Sequence, residues 1–263
     1  MKLLIDAGNT RIKWALLRGK DWLCSGGLPT GQADGLARDI ADHIARLGTG
    51  LHDIQQIWAS NVAGEEIARH IRNIGADKPG QPHFAVARKS QCGVRNAYSN
   101  PSQLGSDRWA ALIAAWHLVQ GGCMVVNCGT ATTVDALSAQ GEFVGGLILP
   151  GVELMQHSLV AATDQLKSAP GEYVRFPLNS ADALYSGAIQ ASCGAIERQY
   201  NLLADDSAPL ILSGGAARVL QPCLDQKLFG APPRIVDNLV LQGLSLMAQE
   251  ADLLMMVQEQ NGR

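Results

Sequence analysis

A hairpin pattern occurs twice in this chain, 121 residues apart, and few folds accommodate such a repeat. The first copy lies in Lys2 to Leu17, KLLIDAGNTRIKWALL. Its apolar run Leu3, Leu4, Ile5 stops at Asp6. A small-residue turn follows, Ala7, Gly8, Asn9 and Thr10, and apolar alternation resumes at Ile12, Trp14 and Leu16, which reads as strand, tight turn, strand. The second copy, Met124 to Leu137, puts Asn127 under Asp6, Gly129 under Gly8, Thr130 under Asn9 and Ala136 under Ala15. A turn of this kind lets backbone N–H groups and a hydroxyl converge where a phosphate could sit. Asp6 would face the same point and could hold Mg²⁺ directly or through water. Either copy alone reads equally well as an ordinary hairpin. The duplication favours two similar halves closing on one nucleotide.

With 263 residues, 47% of them hydrophobic and 17% charged, the chain can bury one large core or two modest ones, and the repeat favours two. The formal charge of −3 comes without a run of Lys or Arg. Arg88 with Lys89 is the densest basic spot, so nucleic acid is not an expected partner. The cysteines at 24, 92, 123, 128, 193 and 223 contain no C-x-x-C and no zinc spacing, and read as thiols in a reducing compartment. Cys128, inside the second hairpin, reads as a small neutral filler and not a nucleophile. Only a short apolar run precedes Asp6, and the longest nearly apolar stretch, Trp109 to Val119, contains His117. Neither a signal peptide nor a membrane span is expected, and the expected location is the cytoplasm.

Between the repeats, Asp21 to Leu28 reads as a third strand and Gly35 to Leu47 as a helix with Leu36, Ile40, Ile44 and Leu47 on one face. Ile54 to Ala59 reads as a strand, Glu65 to Ile74 as a helix and Phe84 to Ala87 as a brief strand. Ser60 and Asn61 either cap the helix that follows them or line a cleft, and capping is favoured. In Tyr98 to Gln120, a turn punctuated by Pro101 and Gly105 leads through Ser106 as N-cap into a helix from Arg108. Asp107 then complements the helix dipole, worth roughly 0.3 to 1 kcal/mol, or acts as a general base beside a guanidinium that anchors an anionic substrate. Spacing alone favours the dipole. Past the second hairpin, Glu142 to Gly151 reads as a strand ending in a Pro-Gly turn. Ser180 to Ala204 reads as a helix with Ala183, Gly187, Ala191 and Gly194 along one side, open to a neighbouring helix or a second subunit. Pro209 to Gly215 is a strand running into a double-glycine turn, and Asn238 to Val257 is the last helix.

In their order these motifs resemble the type III pantothenate kinases of the actin- and hexokinase-like ATPase superfamily. The resemblance is carried by D-x-G-N-T at Asp6 to Thr10 with Lys13 after it, by Tyr98 leading through Pro101 to G-x-D-R at Gly105 to Arg108, and by G-T-A-T-T-x-D from Gly129 to Asp135. GGLILPG from Gly145 to Gly151, Ser180 after Asn179, Gly214 with Gly215, and NLVLQGL from Asn238 to Leu244 complete it. It implies an α/β fold of two similar ribonuclease H-like (actin-like) halves, residues 1–120 and 121–263, each a mixed sheet flanked by helices, with a nucleotide cleft between them. It also implies ATP-dependent phosphorylation of pantothenate to 4′-phosphopantothenate for coenzyme A synthesis. By position, Asp6, Ala7, Gly8, Asn9, Thr10, Arg11, Ile12, Lys13 and Thr130 would bind ATP, with Mg²⁺ at Asp6. Asp107 would be the base, and Tyr98, Gly105, Ser106, Asp107, Arg108 and Ser180 would bind pantothenate. The family pattern further implies a homodimer that completes the site, and a monovalent cation, K⁺ or NH₄⁺, at the position of Asn127.

Two residues depart from that pattern. Asn127 stands where an acidic residue is usual, and a neutral amide oxygen binds a cation more weakly, so a weak dependence on potassium is expected. Ser180 stands where threonine is usual and keeps the hydroxyl. The alternatives are a regulatory relative without turnover, like transcription accessory factors of this fold, and another phosphotransferase or phosphatase acting on a sugar, acetate or polyphosphate. Retention of Asp6, Asp107, Arg108 and Thr130 counts against the regulatory alternative. No Walker A, G-x-G-x-x-G or kinase H-R-D signature occurs.

Overall fold

The computed structural model describes residues 1–74, 81–167, 169–203, 205 and 207–261. The chain forms two compact units, Met1–Ala114 with Leu239–Arg263, and Ala115–Asn238.

In the first unit β1 (Lys2–Ala7), β2 (Arg11–Arg18) and β3 (Asp21–Pro29) form an antiparallel meander. The helix α1 (Leu36–Ala45) leads to β4 (Gln56–Asn61), parallel to β1. The helix α2 (Glu65–Ile74) leads to β5 (His83–Phe84), parallel to β4, giving the order β3-β2-β1-β4-β5. Central β1 is covered on both faces, which is why Leu3, Leu4 and Ile5 are all apolar and all buried. One face packs Leu3, Ile5, Ile12 and Trp14 against Ile40 and Ile44 of α1 and Ile67 and Ile71 of α2. Each such side chain contributes about 1.5 to 3 kcal/mol through burial.

Three expectations shift here. The helix expected to reach Leu47 stops at Ala45, where Gly48 takes a left-handed φ of 70°, and Leu47 is left 43% exposed. The strand expected at Ile54 to Ala59 runs two residues later, so Ser60 and Asn61 are strand residues. The strand expected at Phe84 to Ala87 is His83–Phe84. A small hairpin, β6 (Ser90–Gln91) and β7 (Val94–Asn96), turns through Cys92 at a φ of 48°. The Ala-rich α3 (Ser106–Val119) follows.

The second unit repeats the plan. The strands β8 (Cys123–Cys128), β9 (Ala131–Leu137) and β10 (Glu142–Pro150) form the meander, followed by α4 (Val152–Ala162) and α5 (Ser180–Leu203). Ala204, the expected end of α5, lies outside the described residues. Next, β11 (Leu210–Ser213) lies parallel to β8, and after α6 (Ala217–Leu220) β12 (Arg234–Ile235) lies parallel to β11. Within this unit the strands run β12-β11-β8-β9-β10, the same arrangement as in the first. Met124, Val126, Val134 and Leu212 pack on Ile189, Cys193 and Ile196 of α5. The fold is thus α/β, built of two similar halves.

The duplication shows in hydrogen bonds as well. The Gly8 N–H donates to Arg11 O and the Gly129 N–H to Ala131 O, both at 3.1 Å. Thr30 N–H donates to Thr10 O (3.0 Å) where Gly151 N–H donates to Thr130 O (2.8 Å). The last strand partners are Ala7 with Ile12 in one hairpin and Cys128 with Thr132 in the other, so the second turn is shorter by one residue. The gapless match of Ala136 with Ala15 is corrected accordingly. Past the turn, Thr132 answers to Ile12 and Asp135 to Ala15, whereas Asn127 still answers to Asp6.

Last, α7 (Leu239–Asn261) returns to the first unit, burying Leu241, Leu244 and Met247. A Cβ on Gly243 would stand 1.9 Å from Ala110 O, so α3 and α7 touch backbone to backbone. Lys2 pairs with Asp252, and Gln56 Nε2 donates to the same carboxylate at 3.0 Å. Among the described residues no helix is long and apolar enough to cross a membrane.

Candidate active site

In the first unit, Asp6 and Lys13 are cross-strand partners at the mouth of the hairpin. Ala7 and Ile12 send their side chains into the core, so only their backbone can meet a ligand, whereas Asn9, Thr10 and Arg11 are exposed at the turn. Thr30 clamps this turn from outside. Its Oγ1 donates to Gly8 O at 2.7 Å while its N–H holds Thr10 O. Arg11 Nη2 donates to Gly27 O at 3.2 Å.

Burial first, and the nearby charge of Asp107 second, push the Asp6 carboxyl up to about 7 against the pull of Lys13. Two carboxylates distant in sequence therefore share one electrostatic environment. The donor set is hard oxygen, as Mg²⁺ takes when phosphates and water supply its remaining ligands. Among the described residues no three His, Cys, Asp or Glu side chains form a metal cluster.

The raised Asp6 carboxyl carries a pH signature. The folded state holds a proton that the unfolded chain releases above the model-peptide value of 3.8, so this contribution to stability is complete below pH 4 and lost as pH rises to about 7. Asp6→Asn should therefore stabilise the ligand-free protein more at pH 8 than at pH 5, as read by urea unfolding. An equal gain at both pH values would mean the carboxyl titrates normally.

Asp107 lies in the first turn of α3, where its Oδ1 accepts the Arg108 N–H at 2.8 Å. A Cβ on Gly105 would stand 2.6 Å from that oxygen, so the carboxyl would have to turn aside to admit one. Arg108 is only 4% exposed. Its Nη1 donates to Tyr98 Oη at 3.3 Å, with the guanidinium 6.0 Å from the ring centroid. Ser106 is not a free N-cap. Its hydroxyl lies 2.9 Å from Ser60 Oγ, and helical structure already begins at Ser106. Ser60 likewise does not cap α2, because it sits in β4. Asn61 shapes the turn before α2 instead, its Oδ1 accepting the Ala63 N–H (3.0 Å) and its Nδ2 donating to Gly64 O (2.8 Å).

In the second unit, Thr130 lies in the turn between β8 and β9, held by the Gly151 N–H. Asn127 abuts the turn after β11. Gly214 there has a φ of 94°, and a Cβ on it would meet Cys128 O at 2.5 Å and Asn127 Oδ1 at 2.9 Å. Cys128 is buried, and burial pushes its thiol up to about 12, so it is a filler. Ser180 opens α5 and is exposed. Asn179 Oδ1 accepts the Asp182 N–H at 2.9 Å, and Asp182 Oδ1 accepts the Glu172 N–H at 2.8 Å, which ties the preceding segment to this helix start.

Thr30 is the clamp that residue-by-residue reading misses. The signal lies in the third strand of each half, which ends in Leu-Pro at Leu28-Pro29 and again at Leu149-Pro150, just before Thr30 and Gly151.

The family described as type III pantothenate kinase matches residues 2–202 of the chain. A protein of Nitrosospira multiformis named type III pantothenate kinase is 47% identical over 251 residues, covering 94% of this chain and 91% of that one. One of the same name from Aromatoleum aromaticum is 46% identical, covering 95% and 98%. Among solved structures, a putative 2-dehydro-3-deoxygalactonokinase from Sinorhizobium meliloti superposes with a TM-score of 0.60 at 15% identity, covering 95% of this chain and 96% of that one. That likeness concerns the fold alone.

Proposed function

The chain belongs to the type III pantothenate kinase family, and from that premise we propose that Asp107 is the general base of its reaction. The activity is ATP-dependent phosphorylation of pantothenate to 4′-phosphopantothenate in coenzyme A synthesis. The observation that carries the assignment is that Ser106, the residue before Asp107, lies 2.9 Å from Ser60, the register partner of Asp6, which brings the opening turn of α3 to the hairpin suited to phosphate.

Phosphoryl transfer depends on positioning and on neutralising charge around the moving group. The turn Gly8 to Thr10, with Lys13 opposite Asp6, receives ATP phosphates, and Thr130, in the duplicated turn of the second unit, offers a hydroxyl and backbone of the same kind. Mg²⁺, when bound at Asp6 directly or through water, supplies further neutralisation. Asp107 accepts the proton of the primary hydroxyl of pantothenate. Arg108, oriented by Tyr98, is suited to the carboxylate of pantothenate, since a guanidinium binds such groups through paired N–H donors. Ser180 offers a hydroxyl, whereas that of Ser106 is taken up with Ser60. A homodimer that covers Ser180 is supported by the exposed small residues Ala183, Gly187, Ala191 and Gly194 on α5 and by exposed Phe176 and Leu178 just before it. A cytoplasmic setting accords with six cysteines outside any disulfide.

ADP release tests the reading: it should require pantothenate and not appear with a sugar, acetate or polyphosphate in its place. Release that ignores pantothenate would overturn it. Asn127 offers a neutral oxygen at the cation position, so exchanging Na⁺ for K⁺ should change the rate by less than roughly twofold. A steep rise with K⁺ would show that other oxygens complete a strong site.

A further inference from the structure

Ser60 is a fully buried hydroxyl at the end of β4, and the activity as described so far makes no use of it. Alternate residues of β1 and β4, Leu3, Ile5, Ala7, Ile57 and Ala59, pack in the core beneath α1 and α2. The residues between them point to the opposite face. Asp6 and Ser60 are register partners in these parallel strands, so both stand on that opposite face, side by side. There Ser60 Oγ meets Ser106 Oγ at 2.9 Å, joining the strand beside Asp6 to the first turn of α3.

We infer that Ser60 is a positioning residue for Asp107: its buried hydroxyl fixes Ser106 in the opening turn of α3 and so sets where the neighbouring carboxylate stands relative to Asp6. This inference rests on Asp107 being the general base. The Asp107 carboxyl folds back on this turn, its Oδ1 accepting the Arg108 N–H at 2.8 Å and lying over Gly105. Successive helical residues are rigidly linked, so a shift of Ser106 carries Asp107 with it. A link lost between two otherwise well-packed elements changes geometry more than fold, and small misplacements of a reacting group are costly to rate.

The test is a double-mutant cycle on kcat with pantothenate and ATP. Ser60→Ala and Ser60→Cys should each lower kcat roughly tenfold in the wild-type background, with KM for pantothenate changed less than about twofold. In an Asp107→Asn background the same changes should lower kcat less than about twofold, because the group they position is gone. Ser60→Cys leaves no cavity, so it carries the test should the alanine variant fail to fold. Equal losses in both backgrounds, or no loss in either, would overturn the inference. The two readings fail separately: if Asp107→Asn alone loses less than about tenfold, the base assignment falls. If Asp107→Asn is severe and the Ser60 variants behave as wild type, only the positioning role falls.

Discussion

Replacing Asp107 with Asn should lower kcat by roughly 10²- to 10⁴-fold while the protein remains folded. The amide keeps the shape of the side chain and an oxygen able to accept the Arg108 N–H, so the opening turn of α3 retains its local bond. What disappears is the basicity that the proposed role of Asp107 requires, that of taking the proton of the attacking hydroxyl. The substitution also removes the second cause of the raised Asp6 carboxyl, leaving burial as the first, so the Asp6 titration should move downward from about 7 without returning fully to normal. Single-turnover kinetics checks the rate, near-ultraviolet circular dichroism the fold, and the pH dependence of urea unfolding the Asp6 titration. A loss below tenfold in an intact protein would make Asp107 a residue of the helix opening only.

The second large effect should follow Gly151→Ala. A Cβ there would stand 2.1 Å from Gly129 O and 2.7 Å from Thr130 O, both backbone atoms that cannot swing aside. The turn between β8 and β9 would have to move, and the bond from Gly151 N–H to Thr130 O would move with it. Overpacking of this severity should cost about 3 kcal/mol, seen as a Tm lower by roughly 6 to 12 °C. A higher KM for ATP should accompany it. The first unit supplies the control. Its equivalent position is Thr30, whose side chain is accommodated and bonds Gly8 O, so Thr30→Ala should cost only about 1 kcal/mol. The shorter second turn, drawn closer to the strand end that follows it, accounts for the contrast.

That difference in turn length also marks where the sequence stopped being legible. The two hairpins and the order of elements around them could be read because each half places the same apolar runs and small-residue turns in the same succession. The slip of one residue past the second turn could not. In a half-exposed strand such a slip would move polar residues to the wrong face. Every residue of β9 from Thr132 to Leu137 is buried, so no alternation records the register. Ser60 was illegible for a different reason. A serine ahead of a helix reads as a cap by local propensity, whereas β4 extends two residues farther than its apolar core and brings Ser60 to a partner 46 residues away. For Asp107 spacing alone favours the helix dipole and only the resemblance favours a base, because spacing along one helix contains nothing of Asp6, whose neighbourhood to Asp107 exists only in three dimensions.

The placement of α7 bears on how the polypeptide matures. Its apolar residues and Asp252 complete the unit that begins at Met1, whereas Ala115–Asn238 is continuous and lies wholly upstream of it. On the ribosome the later unit can close as soon as it emerges, while the earlier one must wait, one face of its central sheet covered only in part, at the opening of α3, until translation has passed Asp252. Nascent chains halted before α7 should consequently carry a protease-resistant unit from Ala115 onward and a vulnerable unit from Met1 to Ala114.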